Sequence, residues 1–173
     1  MTCTQFLVHS LCEFNATCGS AVLQQAVLCV IMTGMVKSDQ IQVTTEGGCS
    51  IVDITGQVAE AAANSQIQDG VVVVFNIGST AAITTIEYEP GLVNYDMAEA
   101  LEKIAPQEGF YEHEKTWNDD NGHAHVRASL LGPSLTVPLV KGQLTLGTWQ
   151  QIVLIEFDTR PRTRKVICQI IGE

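Results

Sequence analysis

The run S-L-T-V-P-L-V-K-G-Q-L-T-L-G-T-W-Q-Q-I-V-L-I-E-F-D-T-R-P-R-T-R-K-V-I-C-Q-I-I, from Ser134 to Ile171, sets the architecture of this chain. It reads as strands over residues 134–140, 144–146, 149–158 and 164–171, with Lys141-Gly142 as a tight hairpin turn and 159–162 as a loop. Four consecutive strands joined by short turns predict an antiparallel sheet. Helices from earlier in the chain must cover it, so the expected class is α+β, mainly antiparallel sheet flanked by three helices. Trp149 is expected to pack in the core, with Gln150 beside it lining a pocket. Arg160, Arg162, Arg164 and Lys165 form a cationic cluster, expected as a solvated hairpin tip or subunit contact, with an anion contact as the lesser use.

Upstream, Ile41 to Thr45 alternates like a strand, residues 50–54 continue as a second, and Thr55 is placed to cap a helix through about Ile67. Val58, Ala61, Ala62 and Ser65 form the inward side of that helix. Residues 71–77 are apolar but for Asn76, which predicts a central strand buried on both faces. Gly78-Ser79-Thr80 follows directly, and its amides and hydroxyls suit either a phosphate cradle or a plain bend. Residues 82–88 resume strand character, and Glu87 and Glu89 are expected on one side of a strand end beside the Gly78 loop. Asn94 then caps a helix to about Ala105, with Met97, Leu101 and Ile104 inward and Asp96, Glu99 and Glu102 solvated.

Between these elements lies H-E-K-T-W-N-D-D-N-G-H-A-H-V-R-A-S-L-L-G-P-S-L, His113 to Leu135, which holds three of the four histidines in a chain only 16% charged. Imidazoles beside carboxylates suit proton transfer or metal binding. A short helix is expected at 124–131, ended by Gly132-Pro133, with Asp119, Asp120 and Asn121 supplying acceptors before it. On it His125 and Ser129 share one face, and Val126 and Leu130 share another, the expected core face. His123, His125 and Arg127 around the helix N-terminus make an anion or phosphate seat. The plainer reading is that Asp-Asp-Asn-Gly is a turn and the histidines serve nearby carbonyls.

A net charge of −10 argues against nucleic acid, and it points to a divalent cation wherever a phosphorylated substrate is held. Cys3, Cys12, Cys18 and Cys29 lie in the first 34 residues, only Cys49 and Cys168 follow, and no C-x-x-C occurs. The body therefore reads as a cytoplasmic, reducing-compartment protein. Residues 1–34 carry one acid, Glu13, and no Lys or Arg; their apolar run from Ala21 to Met32 is broken by Gln24 and Gln25, so neither a secretory signal nor a membrane span fits. They read as an extension before a natural start at Met35, and residues 35–173 as a single domain.

The stretch from Tyr111 to Leu135, with Gly147-Thr148-Trp149-Gln150 and the closing Ile170-Ile171-Gly172-Glu173, resembles the YjbQ-like family, also called secondary thiamine-phosphate synthases, over about residues 36–173. The resemblance implies a homotrimer and a transferase joining a pyrimidine diphosphate to a thiazole phosphate with release of diphosphate. Asp119 and Asp120 would then hold a divalent ion, magnesium or a transition metal, with His113, His123 and His125 as further ligands or proton relays and Asn121 beside them. Gly78, Ser79, Thr80, Arg127, Ser129 and Gln150 would hold the phosphorylated substrate. Many members carry a histidine where this chain has Gly78, which argues against a base at that point. A metal-dependent hydrolase or lyase of a small phosphorylated or heterocyclic metabolite, and a non-catalytic trimeric ligand-binding protein, remain the alternatives.

Overall fold

The computed structural model describes residues 34–173, and the expectations for residues 1–33 lie outside the described residues. In chain order the elements are β1 (Met35–Thr45), β2 (Ile51–Asp53), α1 (Thr55–Ser65), β3 (Gly70–Ile77), β4 (Ala81–Ile86) and a π-helical turn (Leu92–Asp96) running into α2 (Met97–Ile104). Then follow α3 (Glu112–Trp117), α4 (Gly122–Leu131), β5 (Ser134–Val140), β6 (Gln143–Leu144), β7 (Gln151–Glu156) and β8 (Arg162–Gly172). The class is α+β, and every strand pairing is antiparallel.

The four C-terminal strands do not form one sheet. β8 inserts between β1 and β3 in a five-stranded sheet ordered β1-β8-β3-β5-β6, whereas β7 sits between β2 and β4 in a three-stranded one. Among the described residues only the β5–β6 hairpin joins sequence neighbours, through Lys141 and Gly142 with φ of 53° and 73°, the left-handed pair a two-residue turn of matching twist requires.

Burial explains the split. One core joins the inner face of the larger sheet (Val72, Val74, Val166, Ile170) to α1 and one face of the smaller sheet (Ile83, Ile152, Leu154). A second core joins the other face of the smaller sheet (Ala82, Val153, Ile155, Phe157) to α2 and α4. The strand covered on both faces is therefore β7, whose Ile152 to Ile155 are all buried. β3 is central in its sheet but covered on one side only, leaving Phe75 43% and Ile77 51% exposed. A continuous apolar run cannot separate these cases, because an uncovered sheet face reads in sequence like a covered one.

Other expectations shift similarly. α1 buries Val58, Ala61, Ala62 and Ser65 as its period predicts, but Thr55 is not its cap; Asp53 Oδ1 accepts both the Thr55 amide (2.8 Å) and hydroxyl (2.6 Å). Helical structure before α2 begins ahead of Asn94, where the Glu89 carboxylate accepts the amides of Gly91 and Leu92. Glu87 and Glu89 thus lie beyond the far end of β4 from the Gly78 loop, and Glu89 has a structural role. Ile104 is exposed rather than inward, and Trp149 is 70% exposed rather than packed. The three expected helices are α1, α2 and α4, and among the described residues α3, six residues with no buried side chain, is a short addition to them.

Candidate functional site

α4 fixes the site, and its buried side reverses the expected one. Gly122, His123, Ala124, Arg127 and Ala128 face inward, while Val126 and Leu130 are exposed. The reversal follows from small residues: Ala124 and Ala128 let the helix lie close on the Val153, Ile155 and Phe157 face, where larger side chains would hold it away. Gly122 matters equally, since a Cβ there would stand 2.4 Å from Tyr111 Cβ. This contact sets the entrance of α3 against that of α4, and Asn118, at φ 53°, ends α3 in a left-handed turn that Asn tolerates.

The result brings His113 of α3 to His125 of α4, ring centroids 4.4 Å apart. His113 Nε2 lies 3.5 Å from Asp119 Oδ2 and makes no hydrogen bond. It and Asp119 Oδ1 are buried atoms without a partner, as is Asn121 Oδ1. Burial lowers the His125 pKa below that of a free imidazole, and His113 lowers it further, so His125 is neutral at pH 7. Asp119 and Asp158 oppose that shift from nearby.

The remaining candidates divide between two other places. His123 is 1% exposed, its Nδ1 unpartnered; burial, then the Arg127 charge, lowers its pKa, partly offset by the Phe157 carbonyl. Arg127 is buried beside it, with Nε donating to the Ala105 carbonyl (2.9 Å) and Nη2 to Glu102. Glu102 is therefore paired and not simply solvated, and its pKa is lowered: burial raises it, but the Gln107 amide and Arg127 outweigh that. Asp120 Oδ1 accepts the Thr159 hydroxyl (3.0 Å), and Asn121, at the helix N-cap, makes no side-chain capping bond. Gln150 bonds Thr85 and the Gly147 amide near the far end of β4, away from the Gly78 loop.

His125 does share a cleft of about 250 Å³ with Gly78, Ser79, Ser129 and Pro133. Ser129 Oγ is turned to the His125 carbonyl (2.8 Å). A second hollow of about 260 Å³, lined by Glu108, Glu114, Asp119, Asp120 and Thr159, is acidic. Among the described residues no three His, Cys, Asp or Glu side chains meet closely enough to hold a metal ion on their own.

Beneath the Gly78 loop is a network that the cationic cluster did not suggest. Arg164, expected as a solvated tip, is buried against Glu156, which is fully buried. Arg164 Nε donates to Glu156 Oε2 (2.6 Å), and Nη2 donates to Glu156 Oε1 and to Thr80 Oγ1 (2.7 Å). Asp158 accepts the Thr80 hydroxyl and both Nε and Nη2 of Arg162. Burial pushes the Asp158 carboxyl up, but Arg162 and Thr80 more than reverse this and hold it below the usual carboxylate range. Asn76, fully buried, spans the loop with Nδ2 on the Gly78 and Ala81 carbonyls. The sequence signal was present: Glu156 and Asp158 interrupt an apolar strand, and Arg162 and Arg164 repeat at the same spacing of two.

Fold and cluster together define a small α+β protein with two antiparallel sheets and a polar cleft where β3 passes into β4. The chain belongs to the UPF0047 YjbQ-like family, whose profile matches residues 39–173. A UPF0047 protein of Archaeoglobus fulgidus is 39% identical over 132 residues, 76% of this chain and 99% of that one. The UPF0047 protein YugU of Bacillus subtilis is 33% identical over 139 residues, 80% of this chain and all of that one. A YbjQ-like protein of Sulfolobus solfataricus superposes with TM-score 0.76 at 36% identity, covering 81% of this chain and 99% of that chain. A family member from Clostridium acetobutylicum gives 0.69 at 39% identity, covering 76% and 98%.

Proposed function

We propose that the His113–Asp119–His125 cluster and the adjoining Gly78–Ser79 cleft bind a phosphorylated small molecule, and that the chain is a transferase of the thiamine-phosphate synthase type. The observation that carries this reading is the pair of buried, unpartnered atoms, His113 Nε2 and Asp119 Oδ1, beside a neutral imidazole that opens on a cleft. Leaving buried polar atoms without partners costs about 1–3 kcal/mol each, which a bound ligand removes. In the reaction the thiazole nitrogen attacks the methylene carbon of the pyrimidine, the carbon–oxygen bond breaks, and diphosphate leaves with the electron pair. Loop amides and the neutral His125 donate hydrogen bonds to the charge that develops on the leaving group.

A divalent cation fits this arrangement in one way. Asp119 would supply a carboxylate and His113 an imidazole, with the substrate's phosphate oxygens completing the set, a mixed nitrogen and oxygen set that suits a transition metal better than magnesium. The cation would neutralise the leaving diphosphate. His123, buried in the core, and Arg127, buried and bonded to Ala105 and Glu102, support α4 rather than touch the ligand.

Homotrimer assembly belongs to the same reading. The uncovered face of the larger sheet exposes Val36, Phe75, Ile77, Val140 and Ile171, an apolar surface suited to a second copy. Cytoplasmic residence accords with Cys49 and Cys168, both buried and free, and no helix among the described residues is long and apolar enough to cross a membrane.

The test is diphosphate release from the two substrates with Mg²⁺, for the wild type and for His113→Ala and His125→Ala. A protein-dependent rate that both substitutions abolish supports the reading. A rate equal to that without protein refutes it. Hydrolysis of either substrate alone would transfer the cluster to metal-dependent hydrolase chemistry.

A further inference from the structure

The loop at Gly78 has a floor that no candidate role has used. Arg164 employs Nε and Nη2 on Glu156 and Thr80, which fix the guanidinium plane, while its Nη1 has no hydrogen-bond partner among the described residues. Nη1 lies directly under the loop: a Cβ built on Gly78 would stand 2.9 Å from it and 3.5 Å from Asn76 Nδ2. Gly78 and Ser79 are themselves exposed and line the cleft that His125 and Ser129 share. Their two backbone amides have no acceptor among the described residues either, since pairing of β3 with β8 ends at Ile77 and Lys165. Asn76 secures the loop from within by donating to the carbonyls of Gly78 and Ala81, so the oxygens are held inward.

A guanidinium edge, two loop amides and a serine hydroxyl are all donors, and the guanidinium edge lies against position 78, which carries no side chain. We propose that a phosphoryl group of the ligand seats on the Gly78–Ser79 loop and reaches Arg164 Nη1 through the opening left at Gly78. The ligand class is a phosphate monoester or diphosphate, whose several acceptor oxygens match a planar guanidinium edge and adjacent amides. Arg164 is suited to this use because the network beneath it is balanced: Arg162 and Arg164 face Glu156 and Asp158. The guanidinium is therefore oriented before the anion arrives, and the anion meets directed hydrogen bonds rather than a large net charge. Arg127, the arginine that sequence favoured, is occupied by Ala105 and Glu102 and has no part in this seat.

This inference rests on the reading that the cleft takes a phosphorylated ligand, and it is tested apart from catalysis. Inorganic phosphate is titrated into isotope-labelled full-length protein, and the resonances of the Gly78 and Ser79 amides and of the Arg164 guanidinium are followed. The seat predicts saturable shifts at all three, with Arg127 unmoved. Saturation at Arg127, or no saturable shift at Gly78, Ser79 and Arg164, overturns it.

Gly78→Ala places a methyl against Nη1 and is expected to weaken phosphate about tenfold, the loss of roughly one charged hydrogen bond. Gly56→Ala, whose methyl would meet nothing within 4 Å, leaves affinity unchanged. Equal affinities of the two variants refute the proposal. A parallel titration with thiazole phosphate separates it from the broader reading. Response at His113 and His125 without Gly78 or Arg164 sinks the seat alone, and phosphate shifts at Gly78 with silent histidines sink the broader reading alone.

Discussion

Replacing Glu156 by glutamine should destabilise the protein by leaving the Arg164 guanidinium buried without its charged partner. Glu156 is fully buried, and its two oxygens accept from Arg164, from the Thr45 hydroxyl (2.9 Å) and from the Asp158 amide (2.9 Å). The glutamine keeps the shape but removes the charge facing Arg164, whose next carboxylate, Asp158, is 4.0 Å away and already engaged with Arg162. Breaking one side of a buried pair costs about 3–5 kcal/mol, because the remaining charge stays desolvated. Asp158 screens part of that, so the expected loss is about 3 kcal/mol, equivalent to a fall of about 10 °C in Tm for a domain of this size. Denaturant unfolding with an unchanged slope is the assay. The double variant Glu156→Leu, Arg164→Met should recover most of the loss, since neither charge is then buried alone. A Glu156→Gln cost below about 1 kcal/mol would refute the buried pair.

Three further outcomes follow from the same geometry. Gly122→Ala drives a methyl into Tyr111 and should cost about 1–3 kcal/mol, with loss of the His113–His125 ring contact visible as changed imidazole shifts. His123 and His125 have pKa values lowered by burial, so the unfolded chain takes up their protons first. Stability should fall as pH drops through the ordinary imidazole range near 6.5 and then level off below the folded values, with His123→Gln reducing the slope. Cys168, its pKa pushed up to about 11 by burial, and Cys49, raised likewise, should resist alkylation in the native protein and label only on unfolding, read by peptide mass analysis.

Local signals located the elements well. The α1 stripe, the Lys141-Gly142 turn and the end of α4 at Gly132 follow from period and turn chemistry, which act within a few residues. What failed depends on partners distant in sequence. Which strand is covered twice and which side of α4 faces inward are settled by the packing of α2 and α4 on one face of the smaller sheet, and Trp149 stays outside both cores. α3 is six residues long without a buried side chain, so it left no apolar period to read. The histidine and aspartate cluster was visible as composition, yet only the Gly122–Tyr111 approach shows that His113 and His125 meet while His123 turns into the core. The Arg164 network was missed because a run of basic residues was read as charge in solvent, without asking what Glu156 and Asp158 would need.

Calorimetric titration of thiazole phosphate into the wild type and into a folded His113→Ala, His125→Ala double variant addresses the cluster most directly. Saturable binding weakened at least about tenfold by the double substitution, with Tm little changed, is the predicted result. Equal affinity in the two proteins, or no binding to the wild type, would contradict the assignment of these residues to a ligand site.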